Sequence, residues 1–343
     1  MKGGKMMKKL VLVCCILFII PFSSLAYAVE LIPGGHSIGI TMHADGVIVA
    51  GFHPVTAGES SGSPAEEAGI QVGDRISKIE QQKVKNAGDV NRVLAGVKPD
   101  QQQLQVEVIR AKKPVVKTVP VVLGKNNKAQ LGLYIRNETQ GVGTITYINP
   151  STLGFGALGH IVTDMHTRKP VEMADGTILN AKIESVQKSS AGKPGGKIAL
   201  FSSEEKAIGE IRENVNTGIY GNVYEAIRNP LFDQPLDTAS KNEIQPGKAE
   251  ILTVIKNHQI EAFEIEIVHL DAEIPGGGRG MMIKVTDQRL LDETGGIIQG
   301  MSGSPVIQND KIAGAVSHVL IHDPHSGYAL FIDDMLKSEE KVS

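Results

Sequence analysis

From residue 131 onward the chain is built of short apolar runs broken repeatedly by Gly, Pro, Asn and Asp. The runs fall at 131–135, 143–148, 181–187, 249–255, 261–270 and 280–285. This is the spacing of strands joined by tight turns, and many short strands in succession close into a sandwich or a barrel. Composition agrees, with 38 glycines available for turns, abundant Val and Ile, and no Trp. Two patches, 204–209 and 223–228, read as helical instead. The 343 residues are too many for one ordinary domain and enough for two. A net charge of −3, from 35 basic and 38 acidic residues, lacks the footprint of a nucleic-acid binder.

Residues 1–28 read as an export segment. Lys2, Lys5, Lys8 and Lys9 form a basic flank, residues 10–22 an apolar run, and Ala26-Tyr27-Ala28 a small-x-small site. The run is shorter than the ~20 residues that span a bilayer, so a cleavable signal peptide is expected, with an uncleaved membrane anchor as the alternative. Both cysteines, Cys14 and Cys15, lie inside this segment. The exported remainder therefore has no disulfide, no thiolate nucleophile and no cysteine-ligated metal.

Residues 31–124 read as a small α+β domain. Ser63-Pro64-Ala65-Glu66-Glu67-Ala68-Gly69 carries a helix cap, Pro at the first helical position and a Gly stop. Gly73-Asp74 turns into a strand at 75–80, a second helix is expected at 89–96, and 104–110 and 115–121 alternate as strands. Ala65-Glu66-Glu67-Ala68-Gly69-Ile70-Gln71-Val72-Gly73-Asp74-Arg75-Ile76 resembles the A-x-x-A-G-[LI]-x-x-G-D-x-I pattern of the PDZ domains of exported proteases. Such a domain adds an extended peptide to a sheet edge and holds its end in a loop of backbone N–H groups. The resemblance implies that Ser37, Ile38, Gly39 and Ile40 form that loop. The polar connector 124–128 marks the boundary, leaving 125–343 as the second domain.

The chemistry concentrates at Gly300-Met301-Ser302-Gly303-Ser304-Pro305, followed by two apolar β-runs joined by a turn at 308–311. A serine hydroxyl is a poor nucleophile, so it must project from a sharp turn toward a base. The same turn must aim backbone N–H groups at the oxyanion of the tetrahedral intermediate. G-x-S-G-x-P resembles the nucleophile loop of chymotrypsin-like serine peptidases, which implies Ser302 as nucleophile and the N–H groups of Gly300 and Ser302 as the oxyanion hole. Ser304, next to Pro305, is expected in a supporting or packing role. His160, in Gly156-Ala157-Leu158-Gly159-His160, precedes the serine as in that fold and is the candidate general base.

Phe155-Gly156-Ala157-Leu158-Gly159-His160, Thr294-Gly295-Gly296-Ile297-Ile298-Gln299-Gly300-Met301-Ser302-Gly303-Ser304-Pro305, Gly314-Ala315-Val316-Ser317-His318-Val319 and Asp323-Pro324-His325-Ser326-Gly327-Tyr328 together resemble the stage IV sporulation protein B (SpoIVB) peptidase family. The resemblance implies a mainly β protein, a PDZ domain followed by a chymotrypsin-like double β-barrel. It implies a serine endopeptidase without a cofactor, exported into the space between forespore and mother-cell membranes. Its substrates would be itself and a membrane-bound regulatory protein complex. It places the family's aspartate at Asp287; Asp164 is the local competitor for orienting the imidazole.

His318, His322 and His325 lack the spacing of a zinc site, no H-E-x-x-H helix is present, and a loop role is expected for them. The glycines at 276–278 and 280 lack the Lys-Ser/Thr of a phosphate loop and read as a flexible turn. The rival to an enzyme is a PDZ peptide-binding adaptor whose second domain is an inert peptidase-like scaffold.

Overall fold

Two antiparallel strands of 16 residues each, β2 (Ser37–Phe52) and β11 (Leu133–Ile148), organise the molecule. Their register runs from Ser37↔Thr144 to Phe52↔Leu133, with shifts at Tyr134/Ile135 and Arg136/Glu138. The computed structural model describes residues 29–57, 60–98, 100–124, 128–164, 168–201 and 206–342. The export segment expected at 1–28 lies outside the described residues.

One half of this ladder belongs to a six-stranded barrel. Its order is β2, β11, β12 (Gly154–Ala157), β17 (Gly218–Val223), β16 (Gly209–Val215) and β13 (Met173–Asn180), and β13 pairs back with β2 to close it. Ile38, Ile40, Met42, Ile145, Phe155 and Ile178 fill its core. The second barrel closes in the order β19 (Gly247–Lys256), β20 (Gln259–Glu273), β21 (Arg279–Val285), β24 (Asp323–Phe331), β23 (Lys311–Leu320) and β22 (Pro305–Gln308). Between the barrels Leu31, Tyr147, Leu252, Val254 and Ile312 share one apolar cluster with Ile332 and Met335 of the C-terminal helix. Tyr147 is fully buried there and its hydroxyl donates to Glu339 at 2.6 Å. Burying an aromatic ring of this kind stabilises by about 2–3 kcal/mol, which the satisfied hydroxyl does not forfeit. A hairpin, β14 (Lys182–Gln187) and β15 (Gly196–Leu200), packs beside the junction.

The other half of the β2/β11 ladder leaves the barrel and enters the PDZ unit. Val47 and Ile48 of β2 pair with β5 (Arg75–Ile79), which pairs with β7 (Gln103–Arg110) and then β8 (Lys113–Pro120). Helix α1 (Pro64–Glu67) starts at Ser63, whose hydroxyl accepts from the Glu66 N–H, and α2 (Ala87–Ala95) starts at Asn86, capping Asp89 in the same way. The G-D step of the sequence motif has a structural reason. Asp74 is 2% exposed, accepts from the Gln71 N–H, and takes a two-pronged bond from Arg110 at 2.7 and 2.6 Å.

Three expectations change. Residues 31–124 do not stand apart from the second domain, because β1 (Glu30–Pro33) pairs with β11, and 37–44 pair with β11 and β13 as barrel strand. The PDZ unit is thus an insertion between β2 and β11, and the first barrel is built from chain on both sides of it. Ser37, Ile38, Gly39 and Ile40 are accordingly not a carboxylate loop. They are buried mid-barrel, hydrogen-bonded on both edges, and Gly39 is glycine because the Phe201 ring lies where a Cβ would be. Lastly, the patch at 223–228 is not helical; Val223 ends β17 and irregular chain follows. Of the patch at 204–209, residues 204 and 205 lie outside the described residues, and Gly209 opens β16.

The PDZ edge that would receive a peptide is taken by the chain itself. The start of β11 pairs with the end of β2 and packs against α2. Leu131, Leu133 and Ile135 point into the PDZ core while Tyr134 stays 59% exposed, the alternation of an added strand.

The insertion predicts how truncations behave. A chain beginning at Lys128 lacks β1 and β2 and loses cooperative thermal unfolding by circular dichroism. Replacing 53–131 with a short Gly-Ser turn, which joins the paired ends Phe52 and Leu133, keeps both barrels and a cooperative transition. Cooperative unfolding of the first chain would contradict this topology.

Candidate active site

The turn bearing Ser302 is fixed from both barrels. From the first, the Thr144 N–H donates to Ser302 O at 2.9 Å and the Thr144 hydroxyl to Gly300 O at 2.8 Å. From the second, the Gly303 N–H donates to Val316 O at 2.7 Å and the Val316 N–H to Ser304 O at 2.9 Å. Gly300 and Gly303 have φ of 92° and 91°, a region that side chains rarely enter, and a Cβ on Gly303 would strike the Thr144 carbonyl. The spacing of the two glycines in the sequence is the requirement of this turn.

The result separates the two serines. Ser302 is half-buried at the apex, and its hydroxyl donates to Ser317 O at 3.0 Å. Ser304 is fully buried, and its hydroxyl has no hydrogen-bond partner among the described residues. Beside Ser302, its own N–H and that of Gly300 have no acceptor among the described residues. These are the two donors an oxyanion needs.

His160 follows the end of β12, after Leu158 and Gly159 turn the chain through left-handed conformations. Its Nδ1–H donates to Ile161 O at 3.0 Å, which leaves the lone pair on Nε2. Burial holds its pKa below the ordinary 6.5. A second imidazole, His318 on β23, stands 5.0 Å away between ring centroids. The Ser317 hydroxyl donates to Gly159 O at 2.6 Å, so at its 2.7 Å contact with His318 it accepts from Nδ1–H. Burial, and then the neighbouring His160, push His318 down to about 4. Ser302, Ser317, Gly159, His160 and His318 thus form one connected group across the seam between the barrels.

Asp287 is not part of it. Its carboxylate caps helix α3 (Gln288–Thr294), accepting from the Arg289 N–H at 2.9 Å, and it pairs with the Arg289 guanidinium at 2.8 Å and with the Glu264 N–H. The Arg289 side chain, foremost, holds its pKa below the usual carboxylate value. Asp164 pairs with Arg136 of β11. The His160 tautomer is fixed here by a backbone carbonyl, that of Ile161. A carbonyl offers no full charge to stabilise an imidazolium, in keeping with the lowered His160 pKa.

Sequence reasoning passed over Ser317, His318 and Lys197. The first two lay in plain sight in the 314–319 motif, with His318 given a loop role, whereas it lies on β23. Lys197 gave no signal, because nothing in the run 196–200 shows which side of β15 faces inward. It is buried, and its ammonium nitrogen reaches the hydroxyls of Ser37 (3.0 Å), Thr144 (3.4 Å) and Thr253 (2.9 Å). Burial lowers its pKa to about 7.

A serine on a sharp turn, linked through Ser317 and Gly159 to a histidine at the seam of two six-stranded barrels, with paired N–H donors beside the serine, defines the class as serine endopeptidase. The family model described as SpoIVB peptidase S55 matches residues 127–336, and a PDZ domain model matches 37–121. The first spans more than half of the chain, which belongs to the SpoIVB peptidase S55 family. Among curated proteins, two named as zinc metalloproteases, from Brucella suis biovar 1 and Brucella melitensis biotype 1, are each 34% identical over 119 residues. That match takes in 32% of this chain and 31% of theirs. Among solved structures, the Rv3671c protease from M. tuberculosis in its active form superposes with a TM-score of 0.35 at 16% identity, over 60% of this chain and 75% of that one. An inactive form of it gives 0.32 at 16% identity, over 59% and 85%.

The pH dependence follows from the base. His160 must be neutral to accept a proton, and a pKa below 6.5 keeps it neutral into mildly acidic solution. The rate of Ser302 phosphonylation by a fluorophosphonate, followed against pH, has its acid-limb midpoint below 6.5. A midpoint at or above that value would contradict the assignment.

Proposed function

We propose that this protein is an exported serine endopeptidase acting through an acyl-Ser302 intermediate, with protein substrates that include itself and a membrane-bound regulatory protein complex in sporulation signalling. Its place of action on this reading is the space between the forespore and mother-cell membranes. The observation that carries the catalytic reading is the half-exposed Ser302 beside two N–H groups that have no acceptor among the described residues, with Ser304 sealed away. In the reaction the Ser302 hydroxyl rotates from Ser317 O to His160 Nε2, gives up its proton and attacks the scissile carbonyl. The oxyanion is held by the Gly300 and Ser302 N–H groups. His160 then protonates the leaving amine, and water entering by the reverse steps frees the acyl group.

One observation favours the rival, an adaptor with an inert peptidase-like domain: the Ser302 hydroxyl is bonded to a carbonyl rather than to imidazole. Labelling with a fluorophosphonate decides between them. Wild type and Ser304→Ala are labelled, Ser302→Ala is not, and turnover by Ser302→Ala falls roughly 10⁴–10⁶-fold. Asp287→Ala is labelled at a rate close to wild type and loses stability, by about 1 kcal/mol for the helix cap. An unlabelled wild type supports the adaptor; labelling lost in Ser304→Ala and kept in Ser302→Ala reverses the nucleophile.

On the same reading the PDZ unit selects protein segments, which must compete with the chain's own 131–135 for the edge of β2. Leu133→Ser combined with Ile135→Ser loosens that segment. A fluorescent peptide copying residues 129–136 then binds the double variant more tightly than wild type by anisotropy. Binding to neither would remove the recognition role.

A further inference from the structure

Lys197 lies outside the serine–histidine pair, yet it touches Gly300 in three ways. Its main-chain N–H donates to Gln299 O at 2.9 Å. In a trans peptide the carbonyl and the following N–H point in opposite directions, so this bond fixes where the Gly300 N–H is aimed. Its side chain then runs along the face of Gly300 that lacks a side chain, with its β, γ and δ carbons 3.0–3.2 Å from where a Cβ would stand. Its ammonium finally meets the Thr144 hydroxyl, which itself donates to Gly300 O.

The surroundings show that the amine is held rather than merely tolerated. An ammonium has three N–H donors, and three hydroxyl oxygens surround it, from β2, β11 and β19. Lys197 has no carboxylate partner among the described residues. Burying an amine this deeply is unfavourable unless each donor is met. Two of the three hydroxyls belong to the first barrel and one to the second, so the amine also fixes the barrels to each other directly behind the oxyanion turn.

We propose that Lys197 is the positioning residue of the oxyanion hole, holding both peptide units that flank Gly300 so that its N–H stays aimed at the developing oxyanion. The role rests on the serine peptidase reading above. Its signature belongs to the chemical step rather than to binding, because the hole acts only on charge that appears in the transition state.

The test is phosphonylation by a fluorophosphonate. Ser302 Oγ bonds to phosphorus, fluoride leaves, and the hydroxyl proton passes to His160. The phosphoryl oxygen takes the place of the oxyanion. Lys197→Met keeps the stem and removes the amine; Thr144→Val removes the hydroxyl that links it to Gly300. In Lys197→Met the limiting rate constant falls about 10²-fold, near the loss for one oxyanion donor, while half-saturation by the probe stays within threefold. In Thr144→Val the limiting rate also falls, about tenfold, and the double variant is no slower than Lys197→Met alone. A merely structural lysine would instead lower the labelled fraction and leave the rate of that fraction unchanged; this result overturns the proposal. If Lys197→Met does not fold, Thr144→Val decides, and an unchanged limiting rate there overturns it. An unlabelled wild type overturns the peptidase reading and this role with it, whereas a labelled wild type matched in rate by both variants overturns this role alone.

Discussion

The antiparallel ladder between β2 and β11 is the constraint on which the rest depends. It is one pair of long strands serving two structures, barrel wall at one end and PDZ edge at the other, with β2 bulged between His43 and Ile48 where the two meet. Because side chains alternate along a strand, a slip of one residue within either half would turn that half's inward groups outward. Ile38, Ile40 and Met42 pack the barrel core and Val47 and Val49 the PDZ core, so each half of the ladder has its register held by the core it lines. The same ladder ends at Thr144, which fixes the nucleophile turn through its N–H and its hydroxyl. The PDZ edge and the turn bearing Ser302 are therefore joined by a single strand.

Among the described residues, no carboxylate enters the group formed by Ser302, Ser317, His160 and His318. His160 is oriented by a carbonyl, its neighbour is another imidazole, and the nearby cation is ringed by hydroxyls. Desolvation is the largest cause of the shift at all three groups, and all three shift toward the neutral form. A neutral base at rest is what proton abstraction from serine requires. On the reading proposed above, an imidazolium formed at His160 draws its stabilisation from dipoles and from the negative charge of the tetrahedral adduct.

Much of the fold was legible because its signals are local. The Ser63 cap with Pro64, the G-D step at Asp74 and the glycines flanking Met301-Ser302 each impose a conformation within a few residues. What was not legible depends on pairing over long separations. Ser37-Ile38-Gly39-Ile40 has the same appearance as a loop or a strand, and only its pairing with 141–144 and 178–180 decides. The insertion of the PDZ unit was hidden for that reason, since a sequence divided at its polar connector reads as two domains in a row. Asp287 was misplaced because an aspartate before a helix makes a cap as readily as it makes a triad acid. Lys197 was invisible because a strand's period reveals two faces without naming the inner one.

An insertion also sets an order of events in the life of the chain. Ser37 and Thr144 are neighbours in the barrel, yet β2 emerges long before β11 during synthesis. The first barrel therefore cannot close until the whole inserted unit has appeared, and its leading strand must wait with open edges. The PDZ unit can gather β5, β7 and β8 onto the end of β2 in that interval, covering part of the exposed edge. When the segment at 131–135 then docks into it, the two ends of the long loop are brought together and the entropy of closure is already met. On this account the inserted domain acts as an internal assembly template for the enzyme, before any partner arrives.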